Sequence, residues 1–144
     1  MRKQRGFTLI ELLVVIAIIG LLSTLAVVAL NNARMKSRDA KRVSDIKQIQ
    51  TALELHYNDD NKYPTTVNTG GAGTIATGGV TYMTAVPANP TPVNDGGCPT
   101  TGVGSTYTYT VGTNNSTYTL SYCLGGATGG IGAGIHTAYP GGIQ

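Results

Sequence analysis

Apolar residues occupy most positions from residue 7 to residue 30, and one carboxylate, Glu11, lies inside this run. The run is longer than the roughly 20 residues that a helix needs to cross a bilayer, and it follows a basic leader that ends at Gly6. A charged side chain near the membrane interior costs at least about 2.5 kcal/mol, so it usually has a function or a partner. Residues 7–30 are therefore predicted to form a membrane-spanning helix with one polar site.

Simpler interpretations leave parts of this segment unexplained. The apolar region of an ordinary secretory signal spans only about 7–15 residues and ends at a small-residue cleavage site, which does not fit here. A plain membrane anchor accounts for the length but not for Glu11 or the Gly6–Phe7 junction. A carboxylate near the start of the helix could also extend to the lipid headgroups, which remains an alternative for Glu11.

The next segment predicts that the helix continues beyond the membrane. Residues 31–60 contain no Pro and no Gly, and apolar residues recur there at three- and four-residue spacing. This spacing is typical of a helix with one apolar face. The predicted face consists of Val43, Ile46, Ile49 (or Gln50), Leu53 and Tyr57. The helix is expected to end near Asp60, because Tyr63 precedes a proline and avoids helical backbone angles.

Two later segments alternate aromatic or aliphatic residues with Thr and Ser, which is typical of β-strands. They are residues 105–111 and 116–122, and residues 112–115 (GTNN) between them predict a hairpin turn. The side chains predicted to cover the helix are Tyr107, Tyr109, Val111, Tyr118, Leu120 and Tyr122. The tyrosines could instead form a ligand platform. The expected fold is α+β, with one long N-terminal helix packed on a small antiparallel sheet.

Charge is concentrated in the N-terminal part of the chain. Three of the ten Lys and Arg residues, Arg2, Lys3 and Arg5, lie in the leader, and the chain contains seven Asp and Glu residues. Without the leader, the net charge falls from +3 to zero. A basic mature domain would suggest nucleic-acid binding, so no direct nucleic-acid partner is expected.

A basic cluster follows the apolar run: Arg34, Lys36, Arg38, Lys41 and Arg42. It is interpreted as the solvated face of the helix, and contact with anionic lipid headgroups is the alternative. Ion pairs between Asp39 and Arg42 and between Lys41 and Asp45 are expected on the same exposed side, because their spacing places them one turn apart.

The chain contains two cysteines, Cys98 and Cys123. An even pair in a small exported domain predicts a disulfide, with two free thiols as the alternative. Cys123 has the strand parity of Thr119, so the bridge should lie on the outer face or end of the hairpin. His56 and His136 have no Cys or carboxylate at metal-ligand spacing, and no Ser or Thr is paired with a base. No metal, cofactor or enzymatic activity is therefore expected.

Residues 6–11 (GFTLIE) resemble the processing and methylation motif of type IV pilins and of the pseudopilins of type II secretion. The resemblance extends to about residue 65, through residues 46–50 (IKQIQ) and 62–65 (KYPT), and it is closest to the major pseudopilin. It implies cleavage after Gly6 by a prepilin peptidase, N-methylation of Phe7, and assembly of many copies into a helical filament.

The patterns and the resemblance together divide the chain into four parts. These are a leader (1–6), a membrane and assembly helix (7–30), its amphipathic continuation (31–62) and a small extracytoplasmic β domain (63–144). The implied partners are the peptidase, an inner-membrane assembly platform, minor pseudopilins or pilins, and lipid before assembly. The implied location is the inner (cytoplasmic) membrane, with the leader on the cytoplasmic side, followed by a periplasmic or cell-surface filament.

The resemblance also gives Glu11 a role. Its carboxylate is expected to bond the amine of Phe7 in a neighbouring subunit, or in its own chain before assembly, so that a misplaced subunit leaves a buried charge unpaired. The implied function is that of a structural subunit for type II protein secretion. The alternatives are a major or minor type IV pilin for adhesion, motility or DNA uptake, and a single-pass anchor that presents a binding domain without polymerising.

Two features depart from the family pattern. Val28 lies where many members have a proline, and Asp95 is the only charged residue after residue 64. Many pseudopilins of the type II system have an acidic C-terminal loop that binds calcium. Calcium requires several oxygen ligands, usually including carboxylates, so no calcium site is expected here.

Overall fold

The structure is a computed structural model that describes residues 6–143. One long helix, α1, spans Leu9–Asp60. The chain divides into two compact units, Met1–Arg34 and Met35–Gln144, and α1 contributes to both. The prediction of a single continuous helix is confirmed, although the helix begins two residues after Phe7.

The first unit is an exposed apolar helix. Residues 6–34 are all solvent-exposed, and none of the most apolar part of α1 is buried. Within residues 6–143, α1 is the one helix long and apolar enough to cross a membrane. The length and composition of this segment fit membrane anchoring.

The C-terminal end of α1 has a regular cap. Asn61 adopts a left-handed conformation with φ 52°, and its N–H donates to the carbonyl oxygen of Tyr57 at 2.8 Å. Asn is one of the few residues that tolerate this conformation after a helix. The helix therefore ends at Asp60, where the sequence predicts it.

The second unit adds two antiparallel sheets to the end of α1. A two-stranded hairpin is formed by β1 (Ile75–Thr77) and β2 (Val80–Met83). The larger sheet has the order β3-β4-β5-β6, with β3 (Thr108–Val111), β4 (Tyr118–Leu124), β5 (Gly134–Tyr139) and β6 (Gly142–Ile143). The expected α+β class is confirmed.

The predicted hairpin is β3 and β4, joined by a 3-10 turn at Thr113–Asn115. Tyr109 pairs with Leu120, and Val111 pairs with Tyr118. The first strand is shorter than predicted, because residues before Thr108 bond to loops instead of β4. The carbonyl of Tyr107, for example, accepts a hydrogen bond from the Thr69 hydroxyl.

The core lies between one face of α1 and the inner face of the larger sheet. From the helix, Ile46, Ile49 and Leu53 are completely buried, while Val43 and Tyr57 pack at the margin. The sheet contributes Tyr107, Tyr118, Leu120 and Tyr122, which are buried, and Tyr109 and Val111, which are partly buried. The predicted faces are confirmed, and the tyrosines serve sheet packing.

The hydroxyls of Tyr107 and Tyr109 connect the core to polar groups on the helix and in the following loop. Tyr107 donates to a carboxylate oxygen of Asp45 at 3.0 Å, and Tyr109 donates to the carbonyl of Pro64 at 2.7 Å. These bonds satisfy hydroxyls that would be costly to bury alone.

Candidate functional site

The residues that resemble a processing site lie just before α1. Residues 6–8 are not helical, and Phe7 is 80% exposed. No heavy atom beyond its chain neighbours lies within 4 Å of the position that a Cβ on Gly6 would occupy. The Gly6–Phe7 bond is therefore in an open, non-helical segment. The basic leader residues Arg2, Lys3 and Arg5 lie outside the described residues.

Glu11 and Thr8 form a reciprocal cap at the start of α1. The backbone N–H of Thr8 donates to Glu11 Oε2 at 2.8 Å, and the Thr8 hydroxyl donates to the same oxygen at 2.6 Å. The Glu11 N–H in turn lies 3.3 Å from Thr8 Oγ1. This is a capping box, in which a Thr and a Glu three residues later satisfy backbone groups at the helix start.

Thr8 is not among the site residues predicted from the sequence, although the signal is present as Thr8-x-x-Glu11 before an apolar run. The expected bond between Glu11 and the Phe7 amine stays a prediction, because Phe7 has an amide N–H while it is joined to Gly6. Beside this cap, Phe7, Ile10 and Val14 line an open apolar groove. The helix start thus presents a carboxylate next to an exposed apolar surface.

The second unit contains a buried charge cluster that we call the arginine–carboxylate cluster, formed by Arg38, Asp39, Arg42 and Asp95. Asp39 and Arg42 are completely buried and lie 2.6 Å apart. Arg42 also lies 3.0 Å from the Asp95 carboxylate. Arg38 binds both Asp95 oxygens through Nε and Nη2, at 2.6 and 2.5 Å. Two carboxylates therefore neutralise two guanidinium groups.

Backbone groups from two loops and the Asn89 side chain complete the cluster. The Asp39 carboxylate accepts the N–H groups of Gly125 and Gly126 at 3.0 and 2.9 Å. Arg42 donates to Asn89 Oδ1 at 2.8 Å and to the Pro92 carbonyl at 3.1 Å. Buried charges need several partners to offset the cost of their desolvation. These contacts therefore hold both loops against α1.

The interpretation of the basic cluster as a solvated helix face is wrong for Arg42, which is fully buried, and for Arg38, which is partly buried. The Asp39–Arg42 pair forms, but in the interior, and Asp45 is also buried. The physical reason is helical periodicity: residues 39 and 42 continue the three- and four-residue spacing of Ile46. The helix face that packs inward is polar at this end.

The acidic groups of this region have shifted pKa values. The Arg38 guanidinium, bound directly to Asp95, holds the pKa of that carboxyl below its usual value. Burial has the opposite effect on Asp45 and raises its pKa, although the hydrogen bond from Tyr107 partly offsets this. Asp95 is therefore stabilised in its charged form, whereas Asp45 is destabilised in its charged form.

Cys98 and Cys123 form a disulfide with a Cα–Cα distance of 5.8 Å, as the sequence predicts. Cys123 lies near the end of β4, and a Cβ on Gly104 of the preceding loop would lie 3.2 Å from the Cys123 Cβ and 3.5 Å from Cγ of Pro99. Both cysteines are buried. The loop thus covers the outer face of the sheet at this point.

Each of the two histidines has a ring nitrogen within hydrogen-bond distance of a backbone carbonyl oxygen. His56 is buried, its Nδ1 lies 2.9 Å from the Lys62 carbonyl oxygen, and its ring lies 5.8 Å from that of Tyr82. The Nε2 of His136 lies 2.9 Å from the Gly132 carbonyl oxygen. Within residues 6–143, no group of three or more His, Cys, Asp or Glu side chains is placed to hold a metal ion.

Comparison with known proteins identifies the N-terminal segment. Residues 1–27 match the family described as the prokaryotic N-terminal methylation motif. The chain is 46% identical over 65 residues to type II secretion system core protein G of Aeromonas hydrophila, covering 45% of this chain and 46% of the relative. It is 48% identical over 64 residues to the Escherichia coli K12 protein of the same name, covering 44% of each.

A third relative matches over a longer stretch. Core protein G of Vibrio cholerae is 36% identical over 94 residues, which are 65% of this chain and 58% of that protein. The chain thus spans about half the length of the curated relatives it matches. No solved structure matches it. Taken with the helix and its capped start, these matches confirm the resemblance: the chain has a prepilin-type N-terminal segment similar to that of type II secretion system core protein G.

Proposed function

We propose that this chain is a structural filament subunit of the pseudopilin class that serves type II protein secretion. The observation that carries the proposal is the exposed apolar helix, in which residues 9–30 have no cover from the rest of the described chain. Most of this segment lies within the matched methylation motif, residues 1–27. Such a surface requires lipid or other copies of the helix around it. The relatives named for type II secretion favour that system over a surface pilus.

Processing is the first step of the proposal. A prepilin peptidase cleaves after Gly6 and the new amine of Phe7 is methylated, while the helix stays in the inner membrane with the second unit on the extracytoplasmic side. The open, non-helical Gly6–Phe7 segment supports this step, because a peptidase needs access to an extended bond. No catalytic role is assigned to the chain itself.

Assembly is the second step. Subunits leave the lipid and pack their apolar helices around a filament axis, with an assembly platform and minor subunits as partners. In this process the Glu11 carboxylate exchanges its bonds to Thr8 for the amine of Phe7 in a neighbouring subunit. The exchange requires correct register, since a displaced subunit leaves a charge without a partner in an apolar environment.

Intact mass spectrometry of the membrane protein tests the processing step. We expect a chain that begins at N-methylated Phe7 when the host peptidase is present, and the full precursor when the peptidase gene is deleted. A chain that keeps its leader in both strains would support the alternative of a non-polymerising anchor.

Secretion and imaging separate the two filament classes. Deleting the gene should leave the secreted proteins of the host inside the cell envelope, and expression of the chain should restore their release. Long surface fibres together with unchanged secretion in the deletion strain would instead identify a type IV pilin.

A further inference from the structure

The disulfide lies directly beside both loops that bind the buried charges. Asp95 is three residues before Cys98, whose N–H donates to the Asp95 carbonyl oxygen at 2.9 Å. Gly125, which donates to Asp39, is two residues after Cys123. The cross-link therefore joins the segment whose Asp95 pairs with Arg42 to the segment whose N–H groups bond Asp39.

These two segments are also in direct backbone contact. A Cβ added to Gly96 would lie 2.0 Å from the Gly125 carbonyl oxygen, and one added to Gly125 would lie 2.7 Å from the Asp95 Cβ. Gly96 also has φ +58°, a conformation that other residues rarely adopt. Such close contact leaves no room for a shifted loop, so the position of Asp95 depends on the position of the chain around Cys123.

If the loop that contains Asp95 moved away from α1, the charge of Arg42 would lose partners. Arg42 is fully buried; it pairs with the Asp95 carboxylate at 3.0 Å and donates a hydrogen bond to the Pro92 carbonyl oxygen at 3.1 Å. Removing one member of a buried ion network is strongly unfavourable, because the remaining charge stays desolvated. Separation of the Asp95 loop from α1 and loss of the contacts within the cluster should therefore occur together.

We propose that the Cys98–Cys123 disulfide is a redox-dependent latch for the arginine–carboxylate cluster. In the oxidised chain, the loops around Asp95 and Gly125 are held on α1. In the reduced chain, both loops separate from Asp39 and Arg42, while the pairing of β4 with β5 persists. The change is confined to the two loops, because the β4–β5 ladder contains no residue of the cluster.

The redox step is a thiol–disulfide exchange. Cys98 and Cys123 lose two protons and two electrons when the S–S bond forms, and an oxidised dithiol carrier takes up both and becomes a dithiol. A dithiol reductant reverses the reaction. The cluster would then close only after the chain enters an oxidising compartment, a point that rests on the proposed export, whereas the following test does not.

Amide hydrogen exchange of the full chain in detergent micelles, oxidised and then reduced with dithiothreitol, tests the proposal. We expect exchange at Gly125 and Gly126 to accelerate by about tenfold or more on reduction, because both amides lose a charged acceptor. Exchange in the β4–β5 ladder, at Leu120 and Ala138, should change little. Equal acceleration at both places would overturn the proposal, since the disulfide would then hold the sheet as a whole, and so would no change at either place.

A second comparison uses the oxidised chain alone and does not require the reduced form to fold. Gly96→Ala should accelerate exchange at Gly125 and Gly126, since the added methyl displaces the loop from the Gly125 carbonyl. Gly97→Ala is the matched control, because Gly97 also has a positive φ but has open space around a Cβ. Equal effects of the two substitutions would contradict the proposed contact.

Discussion

At the scale of single residues, two carboxylates, those of Glu11 and Asp95, each bind a group that the fold needs to hold in place. Glu11 caps α1 through Thr8, and Asp95 neutralises Arg38 and Arg42. Each is an isolated acidic residue in a neutral stretch of sequence. Their partners differ in how far they could be foreseen, because Thr8 is three residues from Glu11 whereas Arg38 is 57 residues from Asp95.

Replacing Arg42 by Met tests the buried charge network. The substitution leaves Asp39 buried without its ion partner, and breaking such pairs costs about 3–5 kcal/mol of unfolding free energy. Thermal unfolding of the oxidised chain should show the loss. The control is Lys41→Met, one residue away and exposed, which we expect to change stability by less than about 0.5 kcal/mol.

Replacing Thr8 by Ala tests the capping box. We expect faster exchange of the first helical amides, corresponding to about 1 kcal/mol, because the helix start loses its cap. Thr24→Ala is a suitable comparison, since the Thr24 hydroxyl only bonds the Leu21 carbonyl one turn earlier. A similar small effect for both variants would mean that the Thr8–Glu11 bonds contribute little.

At the scale of elements, the helix has different neighbours along its length. Residues 9–30 are exposed on all sides, whereas beyond Met35 one face packs against the sheet through Ile49 and Leu53. The spacing of apolar residues predicted that face, because periodicity is a local property. It did not predict that Asp39 and Arg42 continue the face, because a charged residue is buried only when distant partners such as Asp95 neutralise it.

Leu53→Ala and Leu55→Ala form a matched pair that tests this face. Leu53 is fully buried and Leu55 is 49% exposed. Loss of the buried side chain should reduce the unfolding free energy by about 2–5 kcal/mol. The Leu55 variant should lose much less, and chemical denaturation in detergent compares the two. Equal losses would show that the packed face is assigned wrongly.

At the scale of the whole molecule, tyrosines supply much of what the larger sheet contributes to the core of the second unit. The strand alternation of residues 105–111 and 116–122 made their inward direction predictable. The hydroxyl partners were not, because the bond from Tyr107 to Asp45 spans 62 residues and depends on how the sheet docks on α1. The β1–β2 hairpin was also missed, since its strands are short and lie in a Gly- and Thr-rich segment.

Alkaline titration follows from this tyrosine core. Burial raises the pKa of Tyr118 and Tyr122 to about 12, whereas an unfolded chain ionises tyrosine near pH ~10. The contribution of these two protonated tyrosines to the unfolding free energy is therefore fully present below pH ~10. It is lost as the pH rises through about 12. Tyrosinate absorbance and circular dichroism should change together. Ionisation of these tyrosines near their ordinary pKa, with the circular dichroism unchanged, would contradict the buried core.

Acid titration tests the opposite shift. Because the Arg38 guanidinium lowers the pKa of Asp95, the contribution of this carboxylate is present above pH ~4 and is lost as the pH falls through its folded pKa. The midpoint temperature of thermal unfolding should therefore decrease as the pH falls through this range. Asp95→Asn should have a lower midpoint at neutral pH and a weaker dependence on acid. An identical acid profile for both chains would show that Asp95 is not involved.

Assembly of the exposed helix into a filament through Glu11 is the proposal on which the function depends. Its most direct test is the amount of filament in the fraction sheared from cells that express equal amounts of wild-type chain or of the Glu11→Gln variant. We expect filaments from the wild type and little or none from the variant, whose subunits should remain in the inner membrane. Equal filament yield from both chains would contradict the assembly role of Glu11, and the absence of filaments from the wild type would contradict assembly itself.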